Sequence, residues 1–166
     1  LIGKKFNINI INDFFSKKLF LNKKFDLIIS RHTLEHISDL KKIINDMIYV
    51  MHEDSVLAIE VPNVEFYVKQ GLLEVFSLQH IHYFSVKTFK NIANKFDLKI
   101  LKTVESPENI IIFFKKVNFK SKKLIINKKN KKNEIIFNKF KTKIEKNKLK
   151  IAKIINLYKK NELAFW

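Results

Sequence analysis

The chain has no cysteine, only two glycines and two prolines, and a single arginine among its 33 basic residues. Without cysteine there is no disulfide framework, no thiolate nucleophile and no cysteine-ligated metal, and a reducing cytoplasm is the expected compartment. The glycines, Gly3 and Gly71, stand alone. A glycine-rich turn, in which the missing Cβ lets the backbone approach a phosphate or nucleoside closely, is therefore not encoded in these residues. Base reading in nucleic acid depends on the planar guanidinium fork, so a chain with one arginine is not expected to have nucleic acid as a partner. No apolar run comes near the ~20 residues that a membrane-spanning helix needs, and no signal peptide is visible.

What is present is apolar and lysine-rich. With 46% hydrophobic residues over 166 positions, the chain can bury a real core. Its net charge of +17 is uneven: residues 1–114 carry 15 basic against 13 acidic side chains, whereas residues 115–166 carry 18 against 3. Three units are expected. Residues 1–118 form a folded α/β part; residues 119–133, rich in lysine and asparagine, form a linker; residues 134–166 form an amphipathic helix and the start of a strand. In the last unit Phe137, Phe140, Ile144, Asn147, Ile151, Ile154 and Tyr158 step by three and four residues. Such a stripe either packs on the folded part or makes a homodimer contact in which Asn147 sets the register.

Within the folded part, FDLIIS (residues 25–30) and VLAIEV (residues 56–61) carry aliphatic residues at both parities, as strands covered on both faces do. Between them Ile37, Leu40, Ile44, Met47, Ile48 and Met51 recur at helical spacing, with Ser38 or Asp39 as N-cap. A strand, helix and strand in that order pair the two strands in parallel through a right-handed crossover, which brings their carboxyl ends to one edge. Ser30, Arg31 and His32 then lie beside Pro62 and Asn63. Upstream, NINIIND (residues 7–13) reads as a further strand. Downstream, Ser85 caps a helix whose inner face is Phe89, Ile92, Ala93 and Phe96. Residues 98–104 and 109–117 follow as two strands joined by a turn around Pro107, and are therefore antiparallel.

FDLIISRHTLEHISD, the apolar helix, LAIEVPN and QHIHYFSVKTFKNIANKFDL occur in that order, and residues 9–114 resemble the second half of a class I S-adenosylmethionine-dependent methyltransferase. Within that class the similarity is greatest to sugar C-methyltransferases and their relatives in surface-polysaccharide gene clusters. The resemblance implies a partial Rossmann-like α/β sheet, mostly parallel with an antiparallel last strand, followed here by the C-terminal amphipathic helix. It implies S-adenosylmethionine as cofactor and a small-molecule or sugar-nucleotide acceptor. Members of that class hold the cofactor with a glycine-rich turn after the first strand and an acidic residue after the second. Neither is found here, so the chain is expected to start near the third strand and to be a fragment cut at both ends.

The same resemblance assigns residues. Ser30, Arg31 and His32, after the fourth strand, line the methionine side of the cofactor; Asn12 and Asp13, after the third, line the adenine region. In the sugar C-methyltransferases a histidine before a Tyr-Phe-Ser run is the proposed base that forms an enolate next to a keto group. His80 and Tyr83 hold the matching positions and take the catalytic roles, with Pro62, Asn63 and Gln79 toward the substrate. Where that family has a glutamate and an earlier tyrosine, this chain has Gln79 and Ser77, which leaves methylation of oxygen or nitrogen open beside carbon.

The chemistry asks little of the protein. Methyl transfer from a sulfonium is an in-line displacement on an activated electrophile, so it needs alignment and, for a weak nucleophile, removal of a proton. Histidine, with an unperturbed pKa of about 6.5, suits that second task. Plainer roles stand beside these. His80 could bond a backbone carbonyl in a loop, and His36 with Glu35 could order the start of the helix. His82 alternates with His80 and would face away. Glu60, inside an apolar strand, needs a partner, and either faces the cleft or caps an edge. The histidine and carboxylate spacings match no ligand pattern, and no metal is expected. A non-catalytic remnant of the fold, acting by binding, is the second functional reading.

Overall fold

The aliphatic runs become four strands: β1 (Phe25–Arg31), β2 (Met51–Pro62), β3 (Leu98–Glu105) and β4 (Asn109–Lys116). The structure is a computed structural model that describes residues 8–117 and 131–157, with side chains in the last helix described over residues 138–153. The sheet order is β1-β2-β4-β3. β1 and β2 are parallel, with Ile28 opposite Leu57 and Arg31 opposite Glu60. β4 is antiparallel to both β2 and β3.

Three strands thus run one way and the last in sequence runs the other, as expected. The reversed strand does not close the sheet, however. It is inserted between β2 and β3, so by its ladders the sheet is mixed, with one parallel pairing against two antiparallel ones, and not mostly parallel. The cause is composition. The tight turn at residues 106–108 fixes β4 antiparallel to β3, and β4 carries Ile110, Ile112 and Phe114 on one parity, ready to meet Val61, Ile59 and Leu57 of β2. β3 offers Lys99 and Lys102 among its residues and takes the edge, where exposed lysines belong.

Among the described residues four α-helices accompany the sheet: α1 (Leu40–Tyr49), α2 (Val64–Gln70), α3 (Val86–Lys95) and α4 (Lys131–Leu157). The Asp39 carboxylate accepts from the Lys42 amide at 2.8 Å and caps α1. Ser85 and Thr88 form a reciprocal capping box on α3. α2, only seven residues long, was not legible as a periodic pattern; it is capped by the Asn63 side chain and ends at Gly71, whose φ of 70° is the left-handed stop that glycine adopts without strain.

The core lies on one face of the sheet. Ile28, Leu57, Ile59, Val61, Ile110, Ile112 and Phe114 meet Ile43, Ile44 and Met47 of α1 and Phe89, Ile92 and Ala93 of α3. Phe89 sits at the centre, stacked on Phe84 with ring centroids 5.2 Å apart and 6.0 Å from Phe114. On the opposite face Leu27 and Ile29 of β1 remain 53% and 67% exposed. The apolar residues at both parities of β1 therefore correspond, among the described residues, to cover on one face only.

Two further expectations are corrected or refined. The strand expected over residues 7–13 does not form across its described part: residues 8–13 are irregular, with Ile8, Ile10 and Ile11 exposed, because no strand among the described residues offers them ladder hydrogen bonds. α4 begins at Lys131, inside the expected linker, and its stripe meets the folded part at Phe140. The Phe140 ring lies 5.5 Å from Phe76, and Lys143 Nζ donates to the Lys69 carbonyl at 3.0 Å. A Cβ added to Gly71 would lie 2.8 Å from the Lys143 side chain. Leu149 and Ile151, further along, are exposed. The rest of the linker, the side chains of Phe137 and Ile154, Tyr158 and the expected strand start at residues 162–166 lie outside the described residues. No described helix is long and apolar enough to cross a membrane.

Because Phe89 is fully buried among two other rings, Phe89→Ala removes both packing and area. We expect a loss of about 3–5 kcal/mol, seen as a lower urea midpoint in circular dichroism; a loss below about 1 kcal/mol would mean that the helix does not anchor the core.

Candidate functional site

The parallel ladder of β1 and β2 delivers the first residues of the site. Its last rung is the His32 amide donating to the Glu60 carbonyl at 3.0 Å. Arg31 Nε lies 2.9 Å from Glu60 Oε2, and His32 Nε2 lies 3.6 Å from Glu60 Oε1. Glu60, the acidic residue in an apolar strand, thus finds its partners, Arg31 and His32, at the carboxyl end of the sheet. His32 then takes a φ of 46°, a region that residues other than glycine rarely occupy. Such left-handed residues concentrate where a chain must be re-aimed at a site.

The re-aimed chain forms a 3-10 turn, Leu34–His36, in which Leu34 is fully buried and Glu35 only 1% exposed. His32 Nδ1 lies 3.3 Å and His36 Nε2 3.9 Å from Glu35 Oε1. Neither approach is a hydrogen bond, and neither oxygen of this carboxylate has a hydrogen-bond partner. A carboxylate so placed is costly unless something neutralises it.

The loop before α3 is tied to the same turn by the main chain. The amides of Ile81 and His82 donate to the Glu35 carbonyl at 2.7 and 3.2 Å, and a parallel bridge joins Asn63 to Phe84. Side chains complete the join. His36 Nδ1 bonds the Gln79 carbonyl at 2.9 Å and His80 Nδ1 the Val75 carbonyl at 2.7 Å. Carbonyls only accept, so Nδ1 donates in both rings and the neutral imidazoles keep a lone pair on Nε2. The two rings meet edge to face with centroids 4.9 Å apart.

Five of the sequence-assigned residues, Arg31, His32, Asn63, Gln79 and His80, are therefore gathered at one edge. Asn63 uses its side-chain oxygen to cap α2, and Gln79 contributes through its carbonyl. Pro62 is the last residue of the β2 ladder, opposite Asn109. Ser30 is buried on the core side of the sheet, level with Ile59, with its hydroxyl unpaired. Tyr83 rests on Phe76, 5.2 Å between rings, toward α4. Asn12 and Asp13 are exposed, and Asp13 caps its own turn by accepting from the Phe14 amide. Sequence reasoning gave Glu35 a minor part, yet it is the buried centre of the cluster. The signal was its position between Leu34 and Ile37, two apolar residues that pull a short turn inward.

A methyltransferase-domain family model matches residues 4–103, and the chain belongs to that family. Among solved structures, an S-adenosylmethionine-dependent methyltransferase from Clostridium acetobutylicum aligns with a TM-score of 0.52 at 14% identity, over 70% of this chain and 69% of that one. At that identity the likeness shows a shared α/β methyltransferase fold. An O-methyltransferase family 2 protein from Planctomyces limnophilus, in complex with apigenin, aligns with a TM-score of 0.47 at 18% identity. That alignment covers 57% of this chain, which spans 31% of the length of the Planctomyces protein. No curated protein matches the chain.

On α2, burial and then the charges of Glu108 and Glu74 hold the Tyr67 phenol above its ordinary value of 10.0. The folded protein therefore keeps this proton to higher pH than the unfolded chain does, so the associated stability is complete below about pH 10 and is lost as pH rises further. Tyr67→Phe should flatten the alkaline fall in stability, read by urea titrations between neutral pH and pH 11; an unchanged slope would remove Tyr67 as its source.

Proposed function

We propose that the chain supplies the acceptor-side half of an S-adenosylmethionine-dependent methyltransferase site, acting on a sugar or sugar nucleotide of the kind used in polysaccharide assembly. The observation that carries this reading is the convergence, at the carboxyl edge of a parallel strand pair, of Arg31 and His32 with the His36–His80 pair. That edge is where open α/β sheets bind ligands. Arg31 is largely exposed, and beyond its contact to Glu60 it has N–H groups left for the cofactor carboxylate. His32 and Ser30 flank that end, and Asn12 and Asp13 take the adenine side. His80 accepts the acceptor's proton at Nε2, the nitrogen left with a lone pair once Nδ1 is tied to Val75. Pro62, Asn63, Gln79 and Tyr83 shape the acceptor pocket around it. When S-adenosylmethionine is bound it supplies the methyl group.

The order of motifs along the chain supports the sugar acceptor. The absence of a glycine-rich turn in these 166 residues supports a second reading, in which the fold binds and does not react. It also means that the chain alone should grip the cofactor weakly. Exposed Leu149 and Ile151 on α4 are the part of the proposal that concerns self-association.

Titration of 15N-labelled chain with S-adenosylhomocysteine is expected to shift the amides of Arg31 and His32 with a dissociation constant in the millimolar range. Shifts confined to the opposite end of the sheet would overturn the site. With tritiated S-adenosylmethionine and nucleotide sugars, His80→Ala should lower kcat by about 100-fold or more while leaving the cofactor KM alone. An unchanged kcat would retire His80 as the base, and absence of any labelled sugar would favour the binding-only reading.

A further inference from the structure

We propose that Glu35, His36 and His80 form a site for one divalent first-row transition-metal ion, with zinc the best match. This goes beyond the reading above and does not rest on it, since the argument concerns the ground-state cluster and requires no methyl transfer. It also departs from the sequence expectation of no metal, and the reason is topological. His36 contacts the carbonyl of a residue 43 positions away, so no spacing pattern could announce the set.

The first observation is the orphaned carboxylate. Glu35 is buried, both oxygens lack hydrogen-bond partners, and the nearest nitrogens approach Oε1 without bonding it. A countercharge held among those atoms would relieve it. The second is the state of the two imidazoles. Each spends its Nδ1–H on a backbone carbonyl, at 2.9 Å for His36 and 2.7 Å for His80. That is the outer-shell arrangement that fixes ring and tautomer in metal-bound histidines and presents Nε2 as the donor. The third is convergence: one ligand atom from each of the three residues lies within 4.8 Å of the other two. Metal–ligand bonds of about 2.0–2.1 Å in a tetrahedron place ligand atoms about 3.3 Å apart, so closing the set takes side-chain shifts on the order of 1 Å.

The donor chemistry selects the ion. Two imidazole nitrogens and one carboxylate oxygen suit zinc, cobalt, nickel or ferrous iron, whereas magnesium and calcium take oxygen ligands. His36 is partly exposed, which gives the ion an entry path and leaves a coordination position facing solvent. His32, 3.3 Å from the same carboxylate oxygen, stands as the neighbour able to orient it. Use of His80 Nε2 by a cation and its use as a proton acceptor exclude each other, so cation binding and methyl transfer can be tested separately.

The test is calorimetric titration of the EDTA-treated full chain with zinc sulfate, alongside the visible spectrum of the cobalt-loaded protein. We expect one zinc per chain at micromolar or tighter affinity and cobalt bands of a four- or five-coordinate ion. Glu35→Gln and His80→Ala should each weaken zinc by at least about tenfold and remove the cobalt bands. His52→Ala, whose ring pairs with Asp26 at 2.8 Å away from the cluster, should change neither. Glu35→Gln should also leave the metal-free melting temperature equal or higher, because the amide needs no countercharge, while abolishing the zinc-induced rise; this guards against loss of fold. No binding at 100 µM zinc, or binding untouched by His80→Ala, would overturn the site, the latter marking adventitious capture by surface imidazoles.

Discussion

The parallel ladder between β1 and β2 sets Arg31 opposite Glu60, and the polar edge is built out from that register. The ion pair itself contributes little to stability, since the guanidinium is mostly in water. Register is held instead by Ile28 beside Leu57 on the core face. A slip of one residue would turn Leu27 and Ile29 inward and send Ser30 out. It would also carry Arg31 to the wrong face. The geometry of the polar edge is therefore enforced by apolar contacts on the other side of the sheet.

From that edge, one residue organises two things at once. The left-handed backbone of His32 drops the chain into a short turn, and Glu35 at its centre works through both its main chain and its side chain. Its carbonyl receives the amides of Ile81 and His82 and so fixes the loop. Its carboxylate sits among the imidazoles of His32, His36 and, across the loop, His80. Anything that shifted the turn would move the loop and the cluster together. A buried carboxyl group without a hydrogen bond is a costly feature that calls for a partner.

Much of this was legible beforehand, and the limits have physical causes. Local signals carried well. The caps at Asp39 and Ser85, the hairpin around Pro107 and the inner face of Phe89, Ile92 and Ala93 depend on neighbours a few residues away, and the parallel strand pair follows from the strand–helix–strand order. What failed depended on distant partners. Residues 7–13 alternate isoleucine and asparagine as a strand would, but alternation cannot supply the missing neighbour. β4 took the inner position because its apolar parity suits β2 better than β3 does, a comparison between strands that no single window contains. Glu35 and His80 met only after the fold had closed the loop over the turn. Tyr83, at its motif position, rests on Phe76, which in turn meets Phe140 of α4, a contact that only the closed fold supplies. Family membership rests on residues 4–103 as a whole and not on any single contact.

Gly71 carries a consequence for the lysine-rich arm as a whole. The side chain of Lys143 occupies the room that a Cβ at position 71 would need, and the backbone there already has the handedness that L-residues resist. An alanine at this one position would therefore push the Lys143 side chain off its seat, and its bond to the Lys69 carbonyl with it, without altering a single charge. How closely α4 approaches α2 at this point is thus set by a hydrogen atom standing where a methyl group would be.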